Sequence, residues 1–110
     1  MTATTPATSP IYSNLGSDPE LSELVELFVS EIPDRIAAIL ALHDAGDFAE
    51  LARLAHQIKG AAGSYGYACV TPAAERLEVA AGKREPEDLI REALDELVAM
   101  CGRLRAGSGD

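Results

Sequence analysis

The sequence predicts an all-α fold: an antiparallel up-down four-helix bundle with a short additional N-terminal helix. Three observations carry this. Hydrophobic residues make up 47% of the chain but aromatics only 5%, with no Trp, and Ala is abundant, which favours closely packed helices over an aromatic-rich sheet. Apolar residues recur at steps of three and four along most of the chain, with no internal repeat and no convincing strand. The breaks between these stretches, around Gly46, Ala68 to Val70 and Gly82 to Glu85, are short, so successive helices are expected to be antiparallel neighbours.

The elements follow in order. Residues 1–14 are rich in Thr, Ser, Pro and Ala without apolar periodicity and read as a flexible tail. Ser17, Pro19 and Glu20 resemble a helix start, and Leu21, Leu24, Val25 and Phe28 give the short first helix its apolar face. Pro33 is expected to end that pattern, after which Ile36, Ile39 and Leu40 define a second helix that stops near Gly46. Asp47, with Glu50 three residues on, is a capping-box-like start for a third helix with apolar positions Phe48, Leu51, Ala55, Ile58 and Ala62. In VTPAAERLEVAAG, Thr71 is the expected N-cap, Pro72 the first helical residue and Gly82 the end. From Pro86 onward, Ile90, Leu94, Leu97, Cys101 and Leu104 form the stripe of a bundle helix, with Gly102 weakening its last turn. The domain is therefore expected over 15–106, with residues 107–110 a flexible C-terminus.

At 110 residues the chain is long enough for one hydrophobic core and too short for two. A net charge of −9 argues against a nucleic-acid partner, which requires a basic face. No apolar run approaches the roughly 20 residues of a membrane span, and the first ten residues lack the features of a signal peptide. The expectation is a soluble, cytoplasmic protein without membrane contact. Cys69 and Cys101 lack metal or redox spacing and read as two buried thiols.

The informative stretch is AHQIKGAAGSYG, residues 55–66. Gly60, Gly63 and Gly66 each cost about 1 kcal/mol against Ala in a helix interior. On a helical projection at about 100° per residue, His56 falls roughly 130° from the centre of the apolar face and points to solvent. Ala52, Lys59, Gly60 and Gly63 surround it at i−4, i+3, i+4 and i+7. Gly60 and Gly63 thus clear a broad face on which a macromolecule can approach the imidazole, while Gly66 also suits a helix end. Gln57 lies farther around the helix and reads as surface that can still touch a partner. His43, in LALHDAGD, suits an interaction with its helix C-terminus better than a metal site. No Walker loop and no paired-histidine metal motif is present, so no cofactor, nucleotide or metal is expected on this chain.

The same stretch resembles the signature of histidine phosphotransfer (HPt) domains: an exposed histidine, lysine three later, glycine four later and another ten later. His56, Lys59, Gly60 and Gly66 match it position by position. AAERLEVAA resembles the family's next helix, and the helical organisation agrees from about residue 17 to 105. The resemblance implies reversible phosphoryl transfer between His56 and the aspartate of a response-regulator receiver domain, upstream of which stands a histidine or hybrid kinase. Imidazole suits this because its ordinary pKa near ~6.5 leaves a neutral nucleophilic nitrogen at pH 7. Lys59 is then the cation offsetting phosphoryl charge. Glu78 is the candidate that orients the ring, since it flanks the apolar face of Ala74, Leu77 and Ala81 and matches the family's acidic or amide position; Glu75, one turn earlier, is the weaker one. Ala52, Gln57, Gly60 and Gly63 make up the partner-binding face. The implied protein is a monomeric phosphocarrier and not an independent enzyme, with Mg²⁺ held by the receiver. The competing reading is a helical binding module that docks or sequesters a signalling partner without phosphotransfer.

Overall fold

The computed structural model describes residues 9–15 and 18–107. Four helices carry the fold: α1 (Ser22–Ala45), α2 (Phe48–Ser64), α3 (Val70–Gly82) and α4 (Glu87–Cys101). The core is built by Val25, Phe28, Ile32 and Ile39 from α1, Leu51, Ala55, Ile58 and Ala62 from α2, Leu77 with four alanines from α3, and Ile90, Leu94 and Leu97 from α4. The periodicity marks most of these, but Leu24 and Leu40, expected on the apolar face, are exposed, and Ile32 takes a core position instead, because the unbroken helix through Pro33 turns a single stripe inward.

The two helices expected on either side of Pro33 are one element, and no separate N-terminal helix precedes the bundle among the described residues. A proline inside a helix costs about 3 kcal/mol. The side chains on both sides of it bury onto the same core, each contributing about 1.5 to 3 kcal/mol. Pro33 itself is exposed, so its ring displaces nothing from the core. Continuity therefore wins. The start of α1 is made by Asp18, whose side chain accepts from the Glu20 N–H at 2.9 Å and whose carbonyl accepts from Leu21 and Ser22. Ser17 lies outside the described residues.

Gly46 ends α1 at φ 74°, and Asp47 caps α2 by accepting from the Glu50 N–H at 3.3 Å. The start of α3 departs from expectation. Val70 is already helical, Cys69 holds the cap position without a side-chain bond, and Thr71 and Pro72 fall in the first turn. Only Cys101 is a buried thiol; Cys69, on the turn before α3, is exposed. Burial pushes the Cys101 thiol up to about 12.

Two short strands also appear where none was expected. Residues Ile11–Tyr12 (β1) pair in parallel with Leu104–Arg105 (β2), which places Leu104 in the core just beyond α4. Residues 9–14, expected as tail, thus lie against the bundle as a strap. The Ile11 N–H donates to Arg103 O at 2.7 Å, the Asn14 N–H to Gly66 O at 3.2 Å, and the Ser13 hydroxyl to Tyr65 O at 2.6 Å. Ser13 is buried, and these partners satisfy it. Beneath the strap, Phe28 stacks on Tyr65 with centroids 5.2 Å apart, and the Tyr67 hydroxyl donates to Arg105 O at 2.6 Å.

Helices α2 and α3 form the most extensive contact of the bundle. Their register is antiparallel, pairing Ala52 with Gly82, His56 with Glu78 and Gly63 with Thr71. Each step forward on α2 is matched by an equal step back on α3, so the α3 stripe Thr71, Glu75, Glu78 and Gly82 runs along the α2 stripe Gly63, Lys59, His56 and Ala52. This register positions the site.

Candidate functional site

His56 stands on the outer face of α2 with 63% of its side chain exposed. Its Nδ1 lies 3.0 Å from Glu78 Oε2, so the carboxylate reaches across from α3 to hold the ring. A carboxylate accepts and does not donate at neutral pH, so Nδ1 carries the proton and Nε2 keeps the lone pair.

The second oxygen of Glu78 has its own partner. Lys59 Nζ lies 2.9 Å from Oε1, and both side chains are about three-quarters buried, at 27% and 28% exposure. This contact is a salt bridge between two flexible side chains of adjacent helices. Lys59 holds the Glu78 carboxyl below the usual glutamate range, with His56 adding to the effect. Reciprocally, Glu78 raises the Lys59 ammonium above its ordinary value, and Glu75 adds a smaller push. Glu75 faces Lys59 in the helix register and makes no bond to His56.

Of the glycines, Gly60 is open: a methyl group built on it would meet nothing within 4 Å. One on Gly63 would stand 3.7 Å from Thr71 Oγ1, in ordinary contact. Gly66 belongs to another part of the structure. It lies beyond α2 at φ 86°, and a side chain there would run into Ser13, Asn14 and Leu15 of the strap.

The remaining expected residues separate. Ala52 is half-buried against Gly82, 3.8 Å from where a Cβ would stand, and so belongs more to the α2/α3 contact than to the open face. Gln57 is exposed but turned toward α1, where with Asp34, Arg35, Ala38, Leu54 and Ile58 it lines a cavity of about 200 Å³. Arg53, three residues before His56, is engaged with Glu50 through its guanidinium. His43 is apart from this cluster; its Nε2 lies 2.8 Å from Glu87 Oε2, clasping the end of α1 to the start of α4. Among the described residues no helix is long and apolar enough to cross a membrane.

Sequence reasoning missed the strap and the facing of Glu75 on Lys59. The second was within reach, because antiparallel helices that pair His56 with Glu78 must also bring residues 59 and 75 level.

A lone solvent-facing imidazole with a carboxylate on one nitrogen, a cation beside it and bare backbone next to it is suited to carrying a group from one partner to another. The family model for the Hpt domain matches residues 23–107, from the first turn of α1 to just beyond β2, and includes His56, Lys59 and Glu78. No curated protein and no solved structure matches the chain. Hpt domains are phosphocarrier modules of histidine phosphotransfer in two-component signalling, not independent enzymes. With a match over most of its length, the chain belongs to the Hpt domain family.

Proposed function

We propose that this protein is a monomeric phosphorelay intermediate whose carrier is His56, exchanging its phosphoryl group with the aspartate of response-regulator receiver domains. The observation that carries this reading is the Nδ1 contact to Glu78 at 3.0 Å on an otherwise exposed ring. It leaves Nε2 as the nucleophile. The Nε2 lone pair attacks phosphorus of an aspartyl phosphate, the bond from phosphorus to the carboxylate oxygen breaks, and the carboxylate leaves with its electron pair. Nδ1 keeps its proton throughout, and Glu78 stabilises the positive charge the ring gains. In the return direction, the same proton lets the ring leave as neutral imidazole. The receiver supplies Mg²⁺ for the in-line transfer, and a histidine or hybrid kinase supplies the phosphoryl group upstream. Gly60 and Gly63 keep the approach open.

The test is incubation with a panel of phosphorylated receivers, followed by mass spectrometry at alkaline pH, where phosphohistidine survives. The expected result is label on His56 Nε2 and none in His56→Gln. Label on His43, or a receiver that binds without transferring, would replace this reading with that of a docking module.

A further inference from the structure

We propose, resting on the phosphocarrier reading, that Lys59 is a transferable cation: it neutralises Glu78 while His56 is unloaded and moves to the phosphoryl oxygens when His56 is loaded. The Glu78 charge then falls undivided on the Nδ1 proton only in the loaded state.

One carboxylate serves two partners through separate oxygens, His56 Nδ1 at Oε2 and Lys59 Nζ at Oε1. The two contacts are of similar length, 3.0 Å to the ring and 2.9 Å to the ammonium. Lys59 holds its end of the pair with a compact ammonium on a flexible four-carbon stem, which re-aims by rotation of that stem. It sits one turn from His56 on the same helix, within reach of a group on the ring. Gly60 and Gly63 place no side chain on this face, and a Cβ at Gly60 would meet nothing within 4 Å.

Charge decides the direction. The charged groups around His56 are Lys59 and the Glu50-paired Arg53 on α2, and Glu75 and Glu78 on α3. Lys59 is the cation without a carboxylate of its own helix at bonding distance. A phosphoryl group brings about 1.5 to 2 negative charges and three acceptor oxygens, against one charge on Glu78, so it attracts Lys59 more strongly. Once Lys59 leaves, Glu78 no longer divides its charge, and its hold on the Nδ1 proton strengthens. That proton makes the ring a neutral leaving group, so the loaded state is set to donate. No further reactant is needed.

The experiment reads Lys59 itself by ¹⁵N NMR of its Nζ through an alkaline titration, a range in which phosphohistidine is stable. The full chain is loaded with phosphoramidate, which needs no receiver, and parent is compared with Glu78→Gln, which keeps an acceptor for Nδ1 but removes the charge. In unloaded protein, Glu78→Gln lowers the Lys59 midpoint measurably, because it removes the opposite charge that raises it. In loaded protein the same substitution leaves the midpoint nearly unchanged, because the phosphoryl group has become the partner. An equal drop in both states overturns the handover while leaving the carrier reading intact. Failure of phosphoramidate and every phosphorylated receiver to load His56 overturns both. A merely structural role for Glu78 would not make the dependence switch with loading.

Discussion

Gly66 and Ser13 meet so closely that the glycine cannot carry a side chain: a Cβ on Gly66 would overlap the Ser13 hydroxyl and come within 2.6 Å of Asn14 Oδ1. The φ of 86° at Gly66 adds backbone strain for any other residue. Gly66→Ala is therefore expected to destabilise the fold by on the order of 1 to 3 kcal/mol, combining the left-handed backbone with displacement of the strap. Urea unfolding of parent and variant measures it. A variant as stable as the parent would mean that the strap does not pack on Gly66 in solution.

The helices were legible because amphipathic periodicity is a local signal, and every buried position of α2 follows from it. That His56 and Lys59 share an exposed face was legible for a related reason, since helix spacing fixes it within α2; Glu78, on α3, was reached from its place beside the apolar face of that helix and from the resemblance. The strap was not legible, because Ile11, Ser13 and Asn14 are ordered by Arg103, Tyr65 and Gly66, far away in the chain. Pro33 misled through a sound local rule, overridden when the helix on both sides buried against one core. Cys69 misled through composition, since a preference for the interior says nothing about a residue placed on a turn.

The Glu78 carboxyl is held below the ordinary glutamate value of about 4.3, first by Lys59 and then by His56. A carboxyl whose folded pKa is depressed stabilises the fold above its unfolded pKa, and that contribution is lost as pH falls through the folded value. Thermal melts of parent and Glu78→Gln should thus differ near pH 6 and converge below about pH 4. A difference that stays constant down to acid pH would show that the ion pair with Lys59 contributes nothing to the fold. Glu78→Ala, which also removes the acceptor for Nδ1, should slow receiver-driven transfer while leaving helicity intact.

The two thiols should separate by reactivity. Cys101 is 2% exposed and its thiol is pushed up to about 12 by burial, so at pH 8 it is neither accessible nor ionised. Cys69 is exposed. Titration with a thiol-specific disulfide reagent should consume one equivalent per folded chain quickly, and the second only on unfolding. Mass spectrometry should place the first adduct on Cys69. Two fast equivalents would mean that the end of α4 opens readily.

Gly60 tests what the bare backbone beside His56 is for. A Cβ at this position would meet no other part of the fold within 4 Å, so the glycine is not required by packing against α3. Replacing it with Gln improves intrinsic helix propensity by roughly 0.5 to 1 kcal/mol and adds bulk one turn from His56. Stability and transfer should then move in opposite directions. Gly60→Gln should melt no lower than the parent, yet accept phosphoryl groups from a receiver at least tenfold more slowly, because about 1.4 kcal/mol of lost docking corresponds to that factor. Phosphoramidate needs no broad surface and should load the variant at close to the parental rate, which separates a blocked approach from a damaged nucleophile. Equal receiver-driven rates would reject the clearance role, and loss of both rates together would mean that the new side chain disturbs His56 or its contact with Glu78.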